Sequence, residues 1–153
     1  MEMIIGSDHA GFELKEDCRT YLKGLQTLGV QDAGVFGKES ADYPRVAHAV
    51  ARAVSSGQYP RGLLICGTGL GMSMAANRYP GIRAALCHNI YTARMCRRHN
   101  DANILVMGGR VIGVGLALEM LEAFLNTSFE GERHQRRLDQ FGEKWAADQG
   151  RVL

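Results

Sequence analysis

Short runs of apolar residues alternate along this chain with segments whose apolar positions recur every three or four residues. Met3-Ile4-Ile5 reads as a first strand that ends at Gly6. Phe12, Leu14, Cys18, Tyr21, Leu22 and Leu25 then fall at helical spacing. A short second strand is expected near Val30. Val46, Ala47, Val50, Ala51 and Val54 form an amphipathic helix, stopped by Ser55-Ser56-Gly57. Leu63-Leu64-Ile65-Cys66 is continuously apolar, as a strand covered on both faces must be. Helical spacing resumes at Met72, Ala75 and Ala76 and stops before Tyr79-Pro80-Gly81. A strand from Ile82 to Cys87, a helix from Tyr91 to Arg98 and a strand from Ile104 to Met107 follow. Then comes a helix from Leu116 to Leu125, with Leu116, Met120, Leu121 and Phe124 on one face. A charged helix is expected from Glu132 to Trp145. This alternation predicts one α/β domain over residues 1–153, with a parallel sheet of five strands and helices on both faces. In such sheets ligands bind beyond the carboxyl ends of the strands.

Composition narrows the choices. A length of 153 residues with 46% apolar and 22% charged positions suits one domain with a real core. The net charge of +2 gives no reason to expect a nucleic-acid partner. The basic excess is local, in Arg133-His134-Gln135-Arg136-Arg137 and in Arg94, Arg97 and Arg98. The plainest reading of such runs is a solvated face. No apolar stretch reaches ~18 residues, so no membrane span is expected. The four cysteines show neither CxxC nor zinc-type spacing, and Met1 leads directly into a strand. Reduced thiols in a cytoplasmic protein are the expectation.

The 19 glycines exceed the ~11 of average usage, and many follow apolar runs. Cys66 ends the buried strand and is followed by Gly67-Thr68-Gly69-Leu70-Gly71 and a helix. Alternate glycines let backbone N–H groups turn inward, and the helix adds its positive end. The loop is an anion cradle. It is not a P-loop, which needs Gly-Lys-Ser/Thr where Met72 and Ser73 stand. A dinucleotide fingerprint would need glycine at Met72, and a phosphatase Cys-x5-Arg loop would need arginine there. A thiolate at the lip of such a cradle is both available and next to oxyanion donors. Cys18, Cys87 and Cys96 lack this neighbourhood and read as core residues.

Other strand ends add to the picture. Asp8 and His9 follow strand one; alone each reads as a helix cap or surface residue, together as ligand contacts. His99 closes a helix, with Asn100 as the expected cap. Arg110 follows strand five. Arg133 and Arg137, at i and i+4, share one face and suit a phosphate.

Six ordered blocks carry a resemblance. They are Ser-Asp-His-Ala-Gly at 7–11, Asp-Tyr-Pro at 42–44, Ile-Cys-Gly-Thr-Gly-Leu-Gly at 65–71, Arg-His-Asn-Asp at 98–101, Gly-Gly-Arg-Val at 108–111 and Glu-Arg-His-Gln-Arg-Arg at 132–137. Together they resemble the ribose-5-phosphate isomerase B family, which also holds the galactose-6-phosphate isomerase subunits. The resemblance covers residues 1 to about 140. It implies a Rossmann-like three-layer fold, no metal or cofactor, and a homodimer or homotetramer with shared active sites. It implies ribose 5-phosphate and ribulose 5-phosphate as substrates, in the pentose phosphate pathway. Cys66 would be the isomerising base and His99 the ring-opening group, with Thr68 holding substrate or assisting the thiolate. Asp8, His9 and Tyr43 would line the pocket, and Gly67, Thr68, Gly69, Leu70 and Gly71 would hold the enediolate oxygen. Arg133 and Arg137 would bind phosphate, while His99, Asn100 and Arg110 would come from the neighbouring subunit. The tail from about 132 to 153 would pack on that subunit or on the active site.

Three rivals remain. The same chemistry on another sugar phosphate (galactose or allose 6-phosphate, or a four-carbon phosphate) would use the same blocks. A non-catalytic phosphosugar-binding module would keep the arginines and cradle without needing Cys66 and His99. A thiol phosphatase is opposed by Met72.

Overall fold

A computed structural model describes residues 2–25 and 28–141. Five parallel strands form one sheet: β1 Glu2–Ser7, β2 Gly29–Asp32, β3 Arg61–Cys66, β4 Ala84–Leu86 and β5 Ile104–Gly108. Their order is β2-β1-β3-β5-β4. The helices are α1 Phe12–Gly24, α2 Tyr43–Ser55, α3 Leu70–Ala76, α4 Ile90–Asn100, α5 Val114–Asn126 and α6 Arg133–Leu138. The five-stranded, Rossmann-like α/β architecture matches the expectation. Of the charged helix expected from Glu132 to Trp145, α6 and a 3₁₀ turn at Asp139–Phe141 are present. The expected reach to Trp145, and the tail to residue 153, lie outside the described residues.

Strand side chains alternate between two cores, as a pleat of period two requires. Met3, Ile5, Leu63, Ile65, Leu105 and Met107 pack with α1, α4 and α5. Ile4, Leu64, Cys66, Ile104 and Val106 pack on the other face with α2 and α3. Both faces of the central strands are covered, which is why they read as unbroken apolar runs. Cys66 therefore points to the side where α2 begins.

Three local expectations shift. The fourth strand pairs only over Ala84–Leu86, because β4 is an edge strand with β5 as its one neighbour. On α5, Ala117 is fully buried while Leu116 is only half-buried, so the inner face turns by one position. The α4 cap is Asp101 and not Asn100. Asp101 takes the left-handed conformation, with φ 43°, and its carboxylate pairs with Arg83 and Arg97, each at 2.8 Å. Those two guanidinium groups hold the end of the helix that carries His99.

Candidate active site

The order β2-β1-β3 places a switch of winding direction between β1 and β3. Loops after these strands diverge there and leave a crevice. A hollow of about 220 Å³ occupies it. Asp8 and His9 enter from the loop after β1, Tyr43 from the start of α2, Cys66 from the end of β3, Gly67 and Thr68 from the loop that follows, Gly71 from the first turn of α3, and Arg110 from the turn after β5.

Each wall has a local cause. Asp8 is buried, and its Oδ1 accepts from the N–H groups of Ala10 (2.9 Å) and Gly11 (3.0 Å). It therefore shapes the loop while also facing the hollow; it is not the helix cap, since Gly11 holds the N-cap position of α1 without a side-chain cap bond. His9 Nδ1 accepts from the Ala41 N–H at 3.2 Å. A neutral His9 then carries its proton on Nε2. Arg110 donates its backbone N–H to the Gly67 carbonyl at 3.0 Å, and its side chain runs beside Gly67.

Around the cysteine the backbone is tightly specified. The Gly69 N–H donates to Cys66 Sγ at 3.1 Å. Gly69 has φ +82°, and a Cβ there would lie 2.4 Å from Leu86 Cδ1, so no other residue fits without displacement. Thr68 is exposed, and its Oγ1 accepts weakly from the Leu70 N–H at 3.4 Å. The first-turn N–H groups of α3 have no helical carbonyl to meet. Gly71 lies under the Tyr43 ring; a Cβ would stand 2.5 Å from its Cζ. The other thiols are placed differently. Burial pushes Cys18 up to about 12. The Cys96 thiol donates to the Ala93 carbonyl at 3.2 Å; the neighbouring Cys87 thiol raises Cys96, and Cys96 lowers Cys87, and both are buried in the core away from the hollow.

The chain thus brings Asp8, His9, Tyr43, Cys66, Gly67, Thr68, Gly71 and Arg110 together. Gly69 and Leu70 do not line it; Gly69 is buried and Leu70 is exposed. Arg110 was expected from a neighbouring subunit; it lines the Cys66 hollow of its own chain, because the turn after β5 lies beside the β3 loop. Asn100 borders a larger groove of about 870 Å³ between Asn77 and Phe141 that contains no other expected site residue.

His99 and Arg133 line a separate hollow of about 340 Å³, which shares no residue with the first. Arg133 and Arg137 are exposed on α6. Sequence reasoning gave no role to two members of this second group, Glu130 and His134. One ligand atom each of His99, Glu130 and His134 lies within 4.8 Å of the others. Sequence spacing had suggested no such cluster, since the three residues come from α4, the loop between α5 and α6, and α6. The His99 and His134 rings are stacked, 4.2 Å apart and 10° from parallel. Lone pairs in parallel ring planes run side by side and do not meet at an ion about 2 Å from each nitrogen. Arg98 also holds the carboxylate, donating from Nε at 2.8 Å and from Nη2. The group is an imidazole–carboxylate cluster on a basic surface, poorly arranged for a metal.

Among the described residues no helix is long and apolar enough to cross a membrane. Comparison with known proteins gives the chain its relatives. The family described as Ribose/Galactose Isomerase matches residues 3–141. Ribose-5-phosphate isomerase B of Escherichia coli is 43% identical over 140 residues, 90% of this chain and 92% of that protein. The 4-deoxy-4-sulfo-D-erythrose isomerase of a Clostridium species is 44% identical over 130 residues, 84% of this chain and 81% of its own. The structure of Clostridium thermocellum ribose-5-phosphate isomerase B superposes with a TM-score of 0.92 at 50% identity, covering 96% of this chain and 99% of that one. With its motifs, its sheet order and these relatives in agreement, the chain belongs to the ribose/galactose isomerase family.

Proposed function

We propose that the chain is a sugar-phosphate isomerase that interconverts ribose 5-phosphate and ribulose 5-phosphate, with Cys66 as the base. The observation that carries this is Cys66 Sγ at the floor of the switch-point hollow, accepting an N–H from its own glycine loop. Cys66 takes the proton from C2 of the open aldose. The C2–H electron pair becomes the C1–C2 double bond, and the carbonyl pair moves onto O1. The N–H groups of the loop face the charge that develops there. A proton passes from O2 to O1, and Cys66 returns its own proton to C1. No electron leaves the substrate, so the step needs no redox cofactor. Thr68 orients the sugar at the rim.

His99 opens the ring form, and Arg133 and Arg137 bind the phosphate. Within one chain His99 and Arg133 lie in a hollow apart from Cys66, and Arg137 is exposed on the same helix as Arg133. That separation supports a site completed by a second copy, in a homodimer or homotetramer, with Asn100 at the join. A cytoplasmic place in pentose phosphate metabolism fits this substrate.

The relatives named above support a phosphorylated or similarly charged sugar, and they differ in its length. A panel of aldose phosphates of four, five and six carbons tests the assignment. The highest kcat/KM is expected for ribose 5-phosphate. A higher value for the four- or six-carbon sugar would reassign the substrate. Binding without turnover of any member would replace the enzyme by a phosphosugar-binding module.

A further inference from the structure

Where α4 ends, His99 is backed by groups that the isomerisation itself does not use. Its ring lies flat on His134, and His134 is only 4% exposed. His134 Nε2 is shut away from water and has no hydrogen-bond partner. A buried polar nitrogen left unpaired calls for an explanation. Both imidazoles face one oxygen: Glu130 Oε2 is 3.8 Å from His99 Nε2 and 3.4 Å from His134 Nε2. These are ion-pair distances, and one oxygen in this position serves one imidazolium well. The other oxygen of Glu130 is held by Arg98, and the Glu130 N–H donates to the Arg98 carbonyl at 3.0 Å. Glu130 is thus fastened, by side chain and backbone, to the residue just before His99.

We propose that Glu130 and His134 are positioning residues for His99 in ring opening, a role that rests on the isomerase reading above. Ring opening breaks the O1–H bond and the bond from C1 to the ring oxygen. The O1–H pair forms the C1 carbonyl, and the ring oxygen keeps its bond pair and takes a proton. His99 carries the proton between the two oxygens. A carboxylate behind an imidazole fixes its orientation and stabilises the imidazolium that forms. The stacked His134 ring sets the plane.

Charged groups surround His134 from two helices and a loop. Arg98 and His99 face it from α4, Glu130 from the preceding loop, and Arg133 and Arg137 from α6. Burial first, then His99 and the arginines, hold His134 below the ordinary histidine range against the pull of Glu130.

The test uses two substrates. Ribose 5-phosphate closes a five-membered ring through its 4-hydroxyl. Erythrose 4-phosphate has that hydroxyl esterified and cannot close one, so it needs no ring opening. The full-length protein is compared with His99→Ala, Glu130→Gln, Glu130→Asp and His134→Gln, each checked for folding by thermal melt. On ribose 5-phosphate, Glu130→Gln and His134→Gln should lower kcat/KM by roughly tenfold to a hundredfold, with Glu130→Asp recovering part of it. On erythrose 4-phosphate the change should stay under about twofold, because only the ring-opening step is touched. The imidazole-dependent limb of the pH profile for ribose 5-phosphate should also move to lower pH in Glu130→Gln. Equal losses on both sugars, or no loss and no movement of the limb, would overturn the proposal. His99→Ala tells the two levels apart. If it is selective for the cyclic sugar while the Glu130 and His134 variants are silent, the positioning role falls and the reading of His99 stands. If it damages both sugars equally, ring opening by His99 falls, and the positioning role with it.

Discussion

Gly71→Ala is the sharpest probe of how the pocket wall is built. A Cβ on Gly71 would lie 2.5 Å from Tyr43 Cζ, 2.6 Å from Cε2 and 2.9 Å from the hydroxyl. Carbon pairs rest at about 3.5–4.0 Å, so the ring must retreat by roughly 1 Å or more. Holding it in place would cost about 1–3 kcal/mol of overpacking. Against that, alanine in a helix is better than glycine by about 0.5–1 kcal/mol. Tyr43 is 40% exposed and has room to move outward. The net loss of stability should therefore be small, about 0–2 kcal/mol. The catalytic loss should be larger, because a wall displaced by about 1 Å costs on the order of 10–100-fold in kcat/KM. In a Tyr43→Ala background the obstacle is gone, and Gly71→Ala should become stabilising. Urea denaturation of the four proteins of the cycle measures the coupling, expected near 1 kcal/mol or above. Additivity within about 0.5 kcal/mol, with kcat/KM of Gly71→Ala unchanged, would refute this account of the wall.

Three further outcomes are expected. Turnover should survive exhaustive chelation; activity lost in EDTA and restored by a divalent ion would make His99, Glu130 and His134 a metal centre after all. Cys66→Ala and His99→Ala proteins, unfolded and refolded together, should regain roughly a quarter of wild-type activity, because about half the dimers are mixed and each of those holds one intact site. Mixed dimers seen by mass spectrometry but inactive would put both residues in one chain's site. For stability, His134 lies below its ordinary value of 6.5 in the fold. The unfolded chain then binds a proton that the native state refuses, and stability present above that value is lost as pH falls below it. The stability gap between wild type and His134→Gln should accordingly narrow from neutral pH toward pH 5; a constant gap would contradict the shift.

Local chemistry was legible in the sequence and distant partnership was not. The Cys66 loop could be read because its glycines, its strand and its helix are contiguous, and backbone geometry follows from neighbours. The two cores could be read because buried parallel strands leave unbroken apolar runs. The ends of elements were harder. Asn100 looked like the α4 cap, yet Asp101 caps it, because Arg83 from just before the start of the fourth strand reaches across to its carboxylate. Arg110 looked like a neighbour's contribution until the parallel pairing of β3 with β5 set its turn beside Gly67. Glu130 and His134 stood in a run of charges that reads as a solvated face. Their meeting with His99 depends on how α6 folds back on α4, which no spacing rule records.

The most direct test of the central claim is Cys66→Ala, measured for turnover and for binding of ribose 5-phosphate on the same folded preparation. Removing a required base should lower kcat by orders of magnitude, while Asp8, His9, the loop N–H groups and the arginines keep the sugar phosphate bound. Binding retained with turnover lost is the expected result. A folded Cys66→Ala protein that isomerises at near wild-type rate would remove Cys66 from the mechanism.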